Sequence, residues 1–203
     1  MKPREVVITS GSDTKVYDGT PLTNCDIAAE GFVKGEGAMV TFTGSQLNAG
    51  ISENTFTFVF AENTKAQNYT VIVVNGKLEV TPKAVTITSG SANKHYDGEP
   101  LTCDQITAEG FVEGEGAEYD ITGSQTEVGT GKNTFTYKMK DNTLAENYTV
   151  TLVEGDLLVL PPIEIPNTGD NTNLVLYAGM MVASAAAFVT LLVAGKKKGK
   201  FTA

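Results

Sequence analysis

The sequence predicts an all-β protein: two tandem small β-sandwich-like repeat domains, followed by a single C-terminal transmembrane helix. Three observations predict it. The chain overlays itself without a gap at an offset of 79 residues. Within each copy, apolar residues alternate with the period of strands. Near the C-terminus, residues 174–194 form a 21-residue run with no charge. The expected units are therefore repeat 1 over 1–81, repeat 2 over 82–160, a Pro-containing linker over 161–173, the span over 174–194 and a basic tail over 195–203.

The first copy opens with the strand pattern "VVITS", repeated as "VTITS" in the second. "YDGTPLT" at 17–23 matches "YDGEPLT" at 96–102, and "AEGFVKGEGA" at 29–38 matches "AEGFVEGEGA" at 108–117. Asp-Gly and Gly-x-Gly break regular structure, so both stretches read as turns, with room for one helical turn around "GFVKGEG". In "NTFTFVF", Phe56, Phe58 and Phe60 alternate with Thr57 and Val59; in the second copy Phe135, Tyr137 and Met139 alternate with Thr136, Lys138 and Lys140. "NYTVIVV" places Tyr69, Val71 and Val73 on one face. Asn75-Gly76 then reads as a tight hairpin returning through "KLEV". Roughly half of the aligned positions are identical. A period near 80 suits small domains with their own cores better than solenoid units. The aromatics recur in pairs, Tyr17 with Tyr96 and Tyr69 with Tyr148 among them, which reads as core packing. Between the copies, Pro82 removes a donor and holds Thr81 extended, so the joint favours end-to-end stacking. Two units about 30 Å across would make a rod of about 60 Å.

Composition narrows the function. A net charge of −9 excludes a nucleic-acid partner, because phosphate binding needs clustered Lys and Arg, and the basic cluster here is confined to Lys196, Lys197, Lys198 and Lys200. With two cysteines that do not align between copies, Cys25 and Cys103, and one histidine, His95, there is little material for a metal or a Cys–His site. No cofactor, metal or catalytic group is expected, and the chain does not read as an enzyme. The "GEG" turns lack the ladder of acids of a calcium loop. "MKPREVVITS" lacks the apolar stretch of a secretory signal, whereas the other end looks exported. The expectation is a C-terminal piece of a longer surface protein, with "KPREVVITS" following an upstream repeat.

The pattern "KxYDGxPLT", "EGFVxGEGA", "TGSQ" and "NYTV" resembles the YDG- or MBG-type repeats of bacterial surface proteins over about residues 5–160. That resemblance implies immunoglobulin-like stalk modules that project a distal region from the cell. The ordered set Ile165-Pro166-Asn167-Thr168-Gly169, apolar run and lysine cluster resembles the LPxTG cell-wall sorting signal of Gram-positive bacteria, with Ile165 where Leu is usual. A helix of 21 residues reaches about 32 Å, the thickness of a bilayer core, and the lysines after it would stay cytoplasmic. The resemblance implies that a sortase cysteine attacks the Thr168 carbonyl, expels Gly169 and passes the acyl group to a peptidoglycan amine. The chain is the substrate in that chemistry, membrane-inserted as a precursor and cell-wall-anchored once cleaved. Residues 169–203 carry four lysines against Asp170, net +3, so cleavage takes the charge from −9 to −12.

Two further expectations stand beside this one. Some Gram-positive stalk domains carry Lys–Asn isopeptide bonds promoted by a carboxylate, and each copy offers a candidate set: Lys15, Glu30 and Asn68, then Lys94, Glu109 and Asn147. The same residues also read as a surface lysine and a turn asparagine before a strand. Alternatively to a pure stalk, the repeats would themselves bind a host glycan or matrix protein, or carry a surface-bound hydrolase encoded upstream.

Overall fold

The computed structural model describes residues 2–164. Strands account for its regular structure, apart from two short 3₁₀ turns at Ala66–Asn68 and Ala145–Asn147. The first copy has β1 (Arg4–Ser10), β2 (Asp13–Val16), β3 (Ile27–Glu30), β4 (Ala38–Phe42), β5 (Gly50–Asn54), β6 (Phe56–Phe60), β7 (Tyr69–Val74) and β8 (Gly76–Thr81). The second repeats the order with β9 (Lys83–Ser89), β10 (Ala92–His95), β11 (Ile106–Glu109), β12 (Ala117–Ile121), β13 (Gly129–Asn133), β14 (Phe135–Met139), β15 (Tyr148–Val153) and β16 (Gly155–Leu160). All sixteen strands belong to one compact unit, Met1–Leu160.

Each copy is built from three small sheets. In the first these are β3-β1-β7, β2-β8-β5 and the pair β4-β6. β1 runs parallel to β7 and antiparallel to β3. β8 runs parallel to β2 and antiparallel to β5. The second copy reproduces this with β11-β9-β15, β10-β16-β13 and β12-β14. Alternation sets the register: Val6 and Ile8 of β1 are fully buried while Glu5 is exposed. Each buried aliphatic contributes about 1.5–3 kcal/mol, and a one-residue slip would turn both to solvent.

The Asn75-Gly76 hairpin is corrected. β7 and β8 do not pair with each other; the chain runs on through Asn75 and changes sheets, as β1 and β2 do at Gly11–Ser12. Gly76 is needed for proximity, not for a left-handed turn. A side-chain carbon there would lie 2.2 Å from the carbonyl oxygen of Gly11, because the two sheet-switching segments cross at this point. Gly155 meets Gly90 in the same way, also at 2.2 Å. The expected helical turn at "GFVKGEG" is a β-type turn, in which the Glu36 amide donates to the Val33 carbonyl at 2.9 Å.

Buried polar groups staple each crossing. Ser10 Oγ donates to the Asn54 carbonyl at 2.6 Å and accepts from the Gly76 amide at 2.9 Å. Asn54 Nδ2 donates to the carbonyls of Gly11 and Asn24, both at 3.0 Å. Ser89 and Asn133 repeat this, with Cys103 supplying the second carbonyl. The backbone oxygen is what matters there, so Asn24 and Cys103 serve equally although their side chains differ.

The apolar core comes in three clusters. Val6, Ile8, Phe56 and Tyr69 form one at the start of the first copy. Leu101, Leu157 and Val159 form one in the second copy. The largest joins Tyr17, Leu22, Leu78 and Val80 of the first copy to Val85, Ile87, Phe135 and Tyr148 of the second. Each repeat thus has a half-core at its head and a half-core at its foot, and the foot of the first merges with the head of the second. Among the described residues no helix is long and apolar enough to cross a membrane. The expected span 174–194, the expected sorting motif 165–169 and the basic tail lie outside the described residues.

Candidate functional site

Ile165, Pro166, Asn167, Thr168 and Gly169 fall outside the described residues. The four residues that lead to them, 161–164, are exposed and carry no regular structure. Polar chemistry among the described residues concentrates at the Tyr-Asp-Gly turn and at the joint between copies.

At the turn, Lys15 Nζ donates to Asp18 Oδ1 at 2.7 Å and to the Thr20 carbonyl at 2.6 Å. Asp18 also accepts from the Thr20 amide and hydroxyl. These donors, the lysine first, hold the Asp18 carboxyl below its ordinary range. Lys94 binds Asp97 and the Glu99 carbonyl in the same manner, and Asp97 is likewise lowered. The repeated "K-x-Y-D-G" is therefore a lysine-clasped turn.

This geometry separates the expected isopeptide partners. Lys15 lies opposite Val80 on β2, at the foot of the copy, whereas Asn68 directly precedes Tyr69, which lies opposite Arg4 at the head. Glu30 sits on exposed β3 opposite Val7. In the second copy Lys94 lies opposite Val159, Glu109 lies opposite Thr86 and Asn147 directly precedes Tyr148. Neither set is brought together, and each lysine is engaged by its own turn.

At the joint, Glu115 accepts two phenols. Tyr17 of the first copy donates to its Oε1 at 2.6 Å, and Tyr148 of the second donates to its Oε2 at 2.8 Å. The two rings meet edge to face, 5.6 Å apart. Tyr148 in turn accepts from the Val112 amide at 3.1 Å. Beside them Asn147 Oδ1 accepts the Ala49 amide at 2.7 Å, and its Nδ2 donates to Asn48 at 3.2 Å. Burial pushes the Tyr148 phenol up to about 12, and the bond to Glu115 followed by burial raises Tyr17. Both tyrosines are thus neutral hydrogen-bond donors to the Glu115 side chain.

The arrangement clamps the two copies together. Both cysteines are free thiols, Cys25 exposed and Cys103 half-buried. Among the described residues no group of three or more His, Cys, Asp or Glu side chains could hold a metal ion. Sequence reasoning did not find Glu115. Its one available signal was that "GEG" keeps its glutamate in both copies while the residue two before it changes from Lys34 to Glu113. Comparison with protein-family models, with curated proteins and with solved structures returned no match.

Proposed function

We propose that this chain is the wall-proximal stalk and covalent anchor of a Gram-positive surface protein or adhesin. The observation that carries the reading is the ordered C-terminal set: Ile165-Pro166-Asn167-Thr168-Gly169, then 21 uncharged residues, then four lysines. The apolar span holds the motif outside the membrane. Pro166 fixes an extended, donor-poor backbone, and Ile165 offers a branched apolar side chain to a sortase pocket. The sortase thiolate adds to the Thr168 carbonyl carbon, the Thr168–Gly169 bond breaks, and an acid group of the sortase protonates the leaving Gly169 nitrogen. A peptidoglycan amine then attacks the thioester, gives its proton to that same group, forms an amide with Thr168 and returns the thiolate. The stalk part of the reading is supported by the merged core and the Glu115 clamp, which resist bending where a flexible tether would not.

Replacing Thr168 or Pro166 by alanine tests the anchor. Cell fractionation should show the repeats folded but lost from peptidoglycan, released or left in the membrane. Covalent wall attachment of both variants at the level of the parent would rule the assignment out.

A further inference from the structure

The clamp at the joint has a twin at the head of the first copy. Val33, Glu36, Asn68 and Tyr69 stand at the positions of Val112, Glu115, Asn147 and Tyr148. The interior half of the clamp is already built: Tyr69 donates to Glu36 Oε2, and the Val33 amide donates to the Tyr69 hydroxyl at 3.2 Å. The bond to Glu36 raises the Tyr69 phenol, so it too is a neutral donor. The outer half has no occupant among the described residues. Glu115 Oε1 holds a foreign phenol, but Glu36 has no second tyrosine. Asn147 is 1% exposed beneath Asn48 and Ala49, whereas Asn68 is exposed. Val112 is covered by the Gly19 turn, where a side-chain carbon would come within 3.0 Å of its Cγ1, whereas Val33 is 48% exposed.

These residues line an open cleft of about 330 Å³, which Pro3 and Arg4 also border. Pro3 and Arg4 precede Pro82 and Lys83, the joint residues of the filled clamp, by one 79-residue period. We propose that this cleft is a docking seat for the foot of another repeat of the same kind, joined ahead of Pro3. The tyrosine of its Tyr-Asp-Gly turn donates to Glu36, and the loop equivalent to Asn48–Ala49 covers Asn68. The occupant is inferred from the filled twin in the same molecule: same carboxylate, same asparagine, same valine and same proline at the joint. The purpose of the seat rests on the stalk reading. Its existence does not depend on sorting, and its test does not touch residues 165–169.

The experiment places a duplicate of residues 3–81 directly before Pro3 of the intact chain and follows hydrogen exchange. Exchange of the Val33 and Glu36 amides and around Asn68 should slow by about tenfold or more relative to the unextended chain, since opening then requires undocking. In the extended chain, Glu36→Ala should return those rates to those of the same variant without the extension. Unchanged exchange around 33–36 and 66–69 in the extended chain overturns the proposal. So does failure of the extended chain to fold, because its new junction copies the native one at Thr81–Pro82. Concentration-dependent protection of the same residues in the unextended chain would instead assign the seat to the foot of a second molecule, and would overturn the occupant proposed.

Discussion

The two copies follow one backbone plan, yet equivalent residues meet different surroundings. Tyr17 is 5% exposed because the second copy covers it; Tyr96, at the same position of the second copy, is 37% exposed. Asn147 is buried under the first copy, while Asn68 is open. On the two-stranded sheet, the opposed pair Met39–Val59 is apolar and exposed in the first copy, and the equivalent opposed pair is Glu118–Lys138. The Ser–Asn staples of the sheet-switch crossings, in contrast, agree bond for bond. Residues that build a copy are thus held constant by that copy alone, whereas residues at its ends take their role from a neighbour.

Breaking a crossing should have the largest effect and should be the same in both copies. Gly76→Ala and Gly155→Ala each place a carbon 2.2 Å from a backbone oxygen, with no flexible side chain to move aside. Each should destabilise its copy by about 3 kcal/mol or more in denaturant unfolding, the cost of overpacking at a backbone contact. Equal losses confirm that the crossing belongs to the copy; a neutral Gly76→Ala would contradict it.

Breaking the clamp should be smaller and one-sided. Tyr17→Phe removes the hydroxyl that reaches Glu115 across the joint, and should cost about 1 kcal/mol, near the net value of one hydrogen bond. Tyr96→Phe should stay within about 0.5 kcal/mol, as expected for a residue near the surface. Equal effects would show that the joint adds nothing to the first copy.

The clamp also sets a pH dependence. Tyr17 and Tyr148 both titrate above their ordinary value near 10, Tyr148 at about 12. A raised value in the folded chain means that their contribution is complete below about pH 10 and declines as pH rises through the folded values. Unfolding midpoints should hold up to about pH 10 and fall between about 10 and 12, with the fall reduced in Tyr17→Phe. A stability that rises over this window would contradict the clamp.

What the sequence made legible was what each copy determines locally. The repeat itself, the alternating strands with Phe56 and Tyr69 inward, and the Tyr-Asp-Gly and Gly-Glu-Gly turns all follow from short-range pattern. Asn75-Gly76 misled because it is a strong local hairpin signal, while the chain uses Gly76 to let two backbones cross. That crossing is fixed by a residue far upstream, Gly11. The clamp was illegible for the same reason: Tyr17 and Glu115 are 98 residues apart, and nothing near either names the other. The lysine clasp, by contrast, was within reach, because Lys15 and Asp18 are three residues apart. The proposed sorting set rests on residue order and composition alone and lies outside the described residues; it carries the proposed function.

The most direct test of that reading is the mass of the C-terminal peptide from protein released by digesting the wall with a muramidase. The expected result is a peptide ending at Thr168, its carboxyl in amide linkage to a peptidoglycan fragment. A wall-released peptide that continues through Gly169 into the apolar run would contradict it.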